Sequence, residues 1–443
     1  MKTGSSSVAI VGGGILGMTA ALRLLEAGVD VTLFERANDL GGLVGSFDFD
    51  GRPADRFYHV ILPTDDRVRG LAEELGLGDT FRFRPTGVGF YDDGRLFSMS
   101  SIKEFLTFPL LSPVGRLRLG AFVAWCQAKS KYADLEDVPL DKWLRKFCGR
   151  ATVERLWNPL LDSKFDGDFD GLPATYMWAR TRRMSGTRDS SGREVMGWLE
   201  GGYQRLIDAL ERRIRELGGD IRTGAAVERI VGSQNAVTGI CIDGRFLAFD
   251  HVLCTLMPPQ ASSLLPDELK SHAGVDRFKY LGVICVLIRA KRSVSPYYTL
   301  NITDRRVPLT TVVETTHVVD PEYAGGHLVY AAKYVDPDHP DLTRPAEDVQ
   351  RDYLGYVRTM FPDLRDDEID AIRVQRARMV EPVHQLGGAA RIPDMFPVPG
   401  LALASTAHVY PEIVNGQAVI GVANRVLSGL FERLTSRGEV RAA

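Results

Sequence analysis

The pattern that most restricts this chain lies near its start, where Gly12, Gly14 and Gly17 stand between an apolar run at 8–11 and an apolar stretch at 15–27. That order predicts a short buried strand, a tight turn and a helix, and residues 31–34 read as a second buried strand. In this setting each glycine of GxGxxG has a separate use: a sharp turn, close approach of backbone to a pyrophosphate, and close packing of helix on sheet. The helix start presents unpaired N–H groups and the positive end of its dipole, so an anion is favoured beside Gly13, Gly14, Ile15 and Leu16. Glu35, at the end of the second strand, is placed to take ribose hydroxyls.

A length of 443 residues allows two or three units, each with a core of its own. The formal net charge of -3, with no basic face and no reader motif, argues against nucleic acid as a partner. Five cysteines, odd in number, widely spaced and without a CxxC pair, predict reduced thiols and a cytoplasmic setting. The segment before the first strand is too short and polar for an export signal, and no uncharged apolar run reaches about 18 residues. A transmembrane segment is therefore not expected.

Arg36 follows Glu35, and Gly41, Gly42 and Leu43 come shortly after. This resembles the ExxxxxGG extension of FAD-binding proteins in the amine oxidase, protoporphyrinogen oxidase and phytoene desaturase superfamily, with Leu43 in place of an arginine and Ser46 where a hydroxyl residue is frequent. The run GGYQRLI at 201–207, followed by Gly218, Gly219 and VERI at 227–230, is similar to the segment whose valine backbone packs by the adenine, which implies Val227 as a contact. PGLALASTAHVYPEIVNGQAVIG resembles the superfamily's C-terminal flavin motif. Ser405 and Thr406 replace its Gly-Asp, and Asn415, Gly416 and Gln417 start its helix. The resemblance covers most of the chain. It implies an α/β fold in which a Rossmann-like FAD-binding domain is assembled from 1–56, 195–280 and 380–443. A substrate-binding domain of helices and a mixed β-sheet would come from 57–194 and 281–379. No cysteine lies near the final motif, so the FAD is expected to be non-covalent. No second GxGxxG is present, so no NADPH domain is expected.

Arg56, Phe57, Tyr58 and His59 come where the superfamily enters its active site, and they also resemble the histidine-containing segment of UDP-galactopyranose mutases. His59 is a candidate to hydrogen-bond flavin or substrate and to move a proton near neutral pH; a satisfied core histidine is the alternative. The strands holding Asn301, Glu314, Lys333 and Tyr334 concentrate polar groups in apolar stretches, where such groups are costly unless paired or facing a cavity. Tyr58, Asn301 and Tyr334 are candidate substrate contacts. Flavin amine oxidases commonly hold a water with a lysine near the flavin N5, which makes Lys333 a candidate by position. Glu314 is the other candidate, against a structural ion pair.

Asp166, Asp168, Asp170 and Gly171 imitate the start of a calcium loop, but Met177 stands where the bidentate glutamate belongs. An acidic turn without metal is the expectation. All five tryptophans fall between 125 and 198, where longer amphipathic helices predict a helical insertion, and aromatic core is the first reading for them, pocket lining the second. Residues 105–125, apolar but carrying Arg116 and Arg118, are read as helical core, with peripheral membrane contact as the alternative. The expected function is that of an FAD-dependent oxidoreductase, an oxidase or desaturase taking a hydride from a small-molecule substrate. A non-redox mutase or isomerase, with His59 and the arginines of 180–183 facing a nucleotide diphosphate, is one alternative. A flavin-binding subunit without turnover is another.

Overall fold

The computed structural model describes residues 6–184, 186–190 and 192–436. Strand Ser7–Val11 pairs in parallel with Asp30–Phe34 on one side and His251–Cys254 on the other. Leu401–Leu403 and Asp220–Arg222 complete a five-stranded sheet, and every pairing in it is parallel. The central strands are mostly apolar because both faces are covered, while the edge strand Asp220–Arg222 buries only Ile221. Helices Ile15–Glu26, Gly202–Glu216 and Gly416–Ser436 cover one face through a core that includes Leu22, Leu206 and Val422. An antiparallel sheet of Val227–Gly232, Val237–Ile242 and Arg245–Ala248 covers the other. Gly12, Glu35, Thr255 and Ala404 each follow the carboxyl end of a strand, so they gather at one edge, where open parallel sheets bind ligands.

A second sheet of seven strands runs in the order Ile369–Val383, Lys279–Ala290, His327–Val335, Thr311–Glu314, Thr299–Ile302, Val88–Asp92 and Arg95–Ser98. It is mixed, because Thr299–Ile302 and Val88–Asp92 are parallel while the remaining neighbours are antiparallel. Helix Ala346–Met360 packs on one face through Val349, Tyr353 and Val357. The helical insertion, with Pro113–Ala128, Leu140–Cys148 and Ala174–Met184, builds a separate core around Phe122, Trp143, Leu144 and Trp178. Trp125 and Trp157 pack on that core, whereas Trp198 lies in a cavity wall.

Within Pro113–Ala128, Leu119, Phe122 and Cys126 face the core, but Val114 and Leu117 point outward at 65% and 75% exposure. Ile102 and Leu106 of the adjoining helix Ile102–Thr107 are exposed as well. Core packing thus accounts for the inner face of this region only. The acidic turn uses its carboxylates for structure, since Asp166 accepts from the Asp336 N–H at 3.1 Å and Asp168 pairs with Lys279. Among the described residues, no group of three or more metal-binding side chains is gathered.

A buried ion pair ties helix Ala174–Met184 to the segment that leads into helix Asp66–Glu74. Arg183 donates to both oxygens of Asp65, at 2.7 and 3.1 Å, and Asp65 also accepts from the Leu62 N–H at 2.8 Å. Asp65 is 2% exposed, so removing its cation leaves a charge with little solvent. Arg183→Met is expected to cost about 3–5 kcal/mol of stability, read as a lower urea midpoint; an unchanged midpoint would refute this role.

Candidate functional site

The glycines of the first turn serve different ends. A Cβ on Gly17 would lie 2.0 Å from the Gly12 carbonyl oxygen, and one on Gly12, whose φ is +115, would lie 2.4 Å from Thr255 Oγ1. Packing of helix on sheet requires glycine at 17, and the left-handed turn against Thr255 requires it at 12. Gly14 differs, since its backbone is extended at φ -75 and a Cβ there would meet no atom within 4 Å. The fold does not need glycine at 14, whereas a ligand lying against the backbone would. Ile15 and Leu16 bury their side chains in the core, leaving their first-turn N–H groups directed at that space. Beside it, Glu35 accepts from the Gly13 N–H at 2.7 Å and from the Ala37 N–H at 2.9 Å. Arg36 is exposed. The Ala225 N–H donates to the Glu35 carbonyl, which brings the chain at Val227 alongside the acid.

Gly41 donates its N–H to the Gly13 carbonyl at 2.8 Å, and a Cβ on Gly42 would lie 3.5 Å from Gly14 Cα. The second glycine pair therefore forms a wall of the same cradle. The Leu43 carbonyl then accepts from His59 Nε2 at 3.1 Å, so the ring carries its proton on Nε2 and leaves Nδ1 as the acceptor. At the C-terminal motif, Thr406 shares a hydrogen bond of 3.1 Å with the Tyr280 hydroxyl. Asn415 caps the last helix by accepting from the Ala418 N–H at 3.0 Å, and Gly416 begins that helix. Gln417 has a structural task, because its Oε1 accepts from the N–H groups of Arg67 and Val68 at 2.7 and 3.3 Å.

A narrow cavity adjoins this edge, lined by Tyr58, His59, Trp198, Tyr298 and Tyr330 among others. Burial lowers the His59 imidazole, opposed by its bond to Leu43, and the ring is neutral at pH 7. Asp55, which the motif reading passed over, lines the same cavity, and burial pushes its carboxyl up to about 7. Nothing local marks it in the sequence, because its burial comes from Gly202, Tyr298 and Tyr330 on three distant elements.

Three expected site residues are not brought to this cavity. Along His327–Val335, Leu328 and Tyr330 line the cavity while Val329 and Ala331 face helix Ala346–Met360. Strand alternation puts Lys333 with the second set, where its Nζ lies 3.1 Å from His339 Nε2 and 4.0 Å from Asp166. Glu314 is fully buried and clamps a loop, accepting from the N–H groups of Val294 and Ser295 at 2.9 and 2.7 Å and facing His327 Nδ1 at 3.3 Å. Asn301 donates to the Gly89 carbonyl at 3.4 Å. Tyr334 stays on the cavity side of its strand, within reach of the Tyr58 hydroxyl.

The cradle at Gly14, the first-turn N–H groups and Glu35 fit the diphosphate and ribose of FAD. A model of the family described as flavin containing amine oxidoreductase matches residues 17–423. Coproporphyrinogen III oxidase of Staphylococcus aureus is 25% identical over 57% of this chain and 60% of its own length. Zeta-carotene desaturase of Synechocystis is 23% identical over 60% of each chain. This chain thus spans about 60% of the length of these curated relatives. Cyclohexylamine oxidase from Brevibacterium oxydans has the same fold, with a TM-score of 0.69 at 17% identity over 96% of this chain and all of that one.

Two outcomes are expected from this geometry. Gly14→Val should fold with the urea midpoint of flavin-free wild type and purify without flavin, because the new methyl groups fill the cradle; a yellow variant would refute the placement. Asp55 favours its protonated form when folded, so the stability it contributes is full below the unfolded value of 3.8 and is lost as pH rises through about 7. In Asp55→Asn, melting temperature should depend less on pH between those limits, and an identical profile would exclude the carboxyl as the titrating group.

Proposed function

Because this chain belongs to the family of flavin-containing amine oxidoreductases, we propose that it is an FAD-dependent oxidase or desaturase acting on a small-molecule substrate. The observation that carries this reading is the peptide Gly41–Leu43, which touches Gly14 on one side and His59 on the other. It joins the dinucleotide cradle directly to the aromatic cavity. FAD, when bound, supplies an acceptor for a hydride at its N5.

The chain's own residues do the remaining work. First-turn N–H groups of Ile15, Leu16 and Gly17 hold the diphosphate, and Glu35 holds the ribose. Tyr58, Trp198, Tyr298 and Tyr330 exclude water and orient the C–H bond to be broken. His59 Nδ1 accepts a proton from the substrate as the hydride leaves, helped by a ring that burial keeps neutral. The five cysteines are buried, and burial pushes Cys254, at the strand end beside the turn, up to about 12. No thiolate is poised to attack the flavin, which supports a non-covalent cofactor.

The mutase alternative requires the arginines of 180–183 to face a diphosphate. Arg182 instead donates to the carbonyls of Gln127 and Lys129 at 2.9 and 2.8 Å, and Arg183 is held by Asp65. That arrangement favours hydride transfer over a mutase. Anaerobic stopped-flow separates the two: substrate should bleach the oxidised flavin, and turnover found only after prior reduction, with no net electron transfer, would overturn the proposal. His59→Ala is expected to keep its flavin spectrum and lose about 10²–10⁴-fold in turnover. Wild-type kinetics in that variant would return His59 to a packing role.

A further inference from the structure

The helical insertion keeps an apolar face that the rest of the described chain leaves open. Ile102, Leu106, Val114 and Leu117 are each more than half exposed, and they fall on two consecutive helices, Ile102–Thr107 and Pro113–Ala128. On the longer helix the exposed positions Val114, Leu117, Ala121, Ala124 and Ala128 recur at every third or fourth residue, so they form one stripe about 21 Å long. A Cβ on Gly120 would lie 3.7 Å from the Phe105 ring, so the two helices pack on each other and Ile102 and Leu106 extend the patch. The opposite side of the longer helix, with Leu119, Phe122 and Cys126, is already taken up by the core. A helix apolar on both sides ordinarily has both covered, and a contiguous open apolar face marks a contact surface.

The charges around this stripe are almost all of one sign. Between residues 102 and 131 stand Lys103, Arg116, Arg118, Lys129 and Lys131 against Glu104 alone, five cations to one acid in a chain whose net charge is -3. Glu104 is turned to its own helix start, where it accepts from the N–H groups of Ser100 and Ser101 at 2.7 and 3.1 Å. Arg116 and Arg118 donate to the carbonyls of Phe108, Lys146 and Phe147, which orients them without neutralising them. Among the described residues, Lys129 alone of the five pairs with a carboxylate, that of Asp134.

We propose that this face docks on an anionic lipid membrane, with helix Pro113–Ala128 lying in the headgroup layer and its stripe turned to the acyl chains. None of these residues lines the cavity, so the proposal stands apart from the oxidoreductase reading. The surplus of cations complements lipid phosphates, an attraction that falls off within a Debye length. A protein partner would be met by aromatic anchors at the centre of the patch, whereas the stripe is built of valine, leucine and alanine with lysine and arginine at its margins, as in an interfacial helix. Its 16 residues span about 24 Å, short of a hydrocarbon core of roughly 30 Å, so the helix lies along the surface.

The test is co-sedimentation of the flavin-loaded protein with vesicles of phosphatidylcholine alone and of phosphatidylcholine mixed with phosphatidylglycerol. Wild type should pellet with the mixed vesicles, about tenfold or more tighter than with the neutral ones, and about 1 M salt should remove most of that difference. Leu117→Glu should weaken binding to the mixed vesicles about tenfold or more and leave the flavin content unchanged. Lys103→Glu, which keeps the apolar stripe, should weaken it about fivefold or more and serves if Leu117→Glu does not fold. No binding to either vesicle, equal binding to both, or variants that bind as wild type does would each overturn the proposal. A dimer in sedimentation velocity that Leu117→Glu dissociates would assign the face to a second copy of the chain and overturn it as well.

Discussion

The first helix lies so close to the parallel sheet that the Gly12 carbonyl oxygen occupies the place a Cβ on Gly17 would take. That approach fixes the helix start above the strand ends, and the rest of the nucleotide edge is arranged around it. Glu35 reaches the Gly13 N–H, Gly41 bonds the Gly13 carbonyl, and Thr255 Oγ1 bonds the Val11 carbonyl at 3.0 Å. Residues 35–41 and the distant Thr255 thus converge on one turn. The open space at Gly14 is what remains when they have done so, and its shape suits a diphosphate lying on backbone.

Burial acts on the two proton-handling groups of the cavity in opposite directions. It lowers His59 and raises Asp55, because in each case the charged form loses its hydration. His59 is therefore mostly neutral at pH 7, whereas Asp55 titrates in that range and is charged in about half of the molecules.

The helical insertion is attached to the nucleotide layer by few but specific contacts. Asp65 and Arg183 form one, and the Thr175 hydroxyl meets the Tyr410 hydroxyl at 3.1 Å as another. These hold helix Ala174–Met184 in register with the C-terminal flavin motif. Elsewhere the insertion has its own aromatic core, so its outer helices are free to expose Ile102, Leu106, Val114 and Leu117.

The nucleotide half was legible in the sequence because its signals are local. A strand, a glycine turn, a helix and an acid at the next strand end lie within residues 7–35, and each follows from spacing and steric need. The substrate half was legible only in part. Tyr58 and His59 adjoin the FAD extension and do reach the cavity, whereas Lys333 and Glu314 were singled out as polar groups in apolar strands without knowledge of which face each would take. Side chains on a strand alternate between faces, so the register of a seven-stranded sheet, set by pairings among distant segments, decided that both would point away from the cavity. The same pairings brought Asp55 into the cavity wall with Tyr298 and Tyr330. The local sequence determined where a dinucleotide can lie, and long-range packing decided which ionisable groups border the cavity, since desolvation and charge pairing depend on neighbours in space.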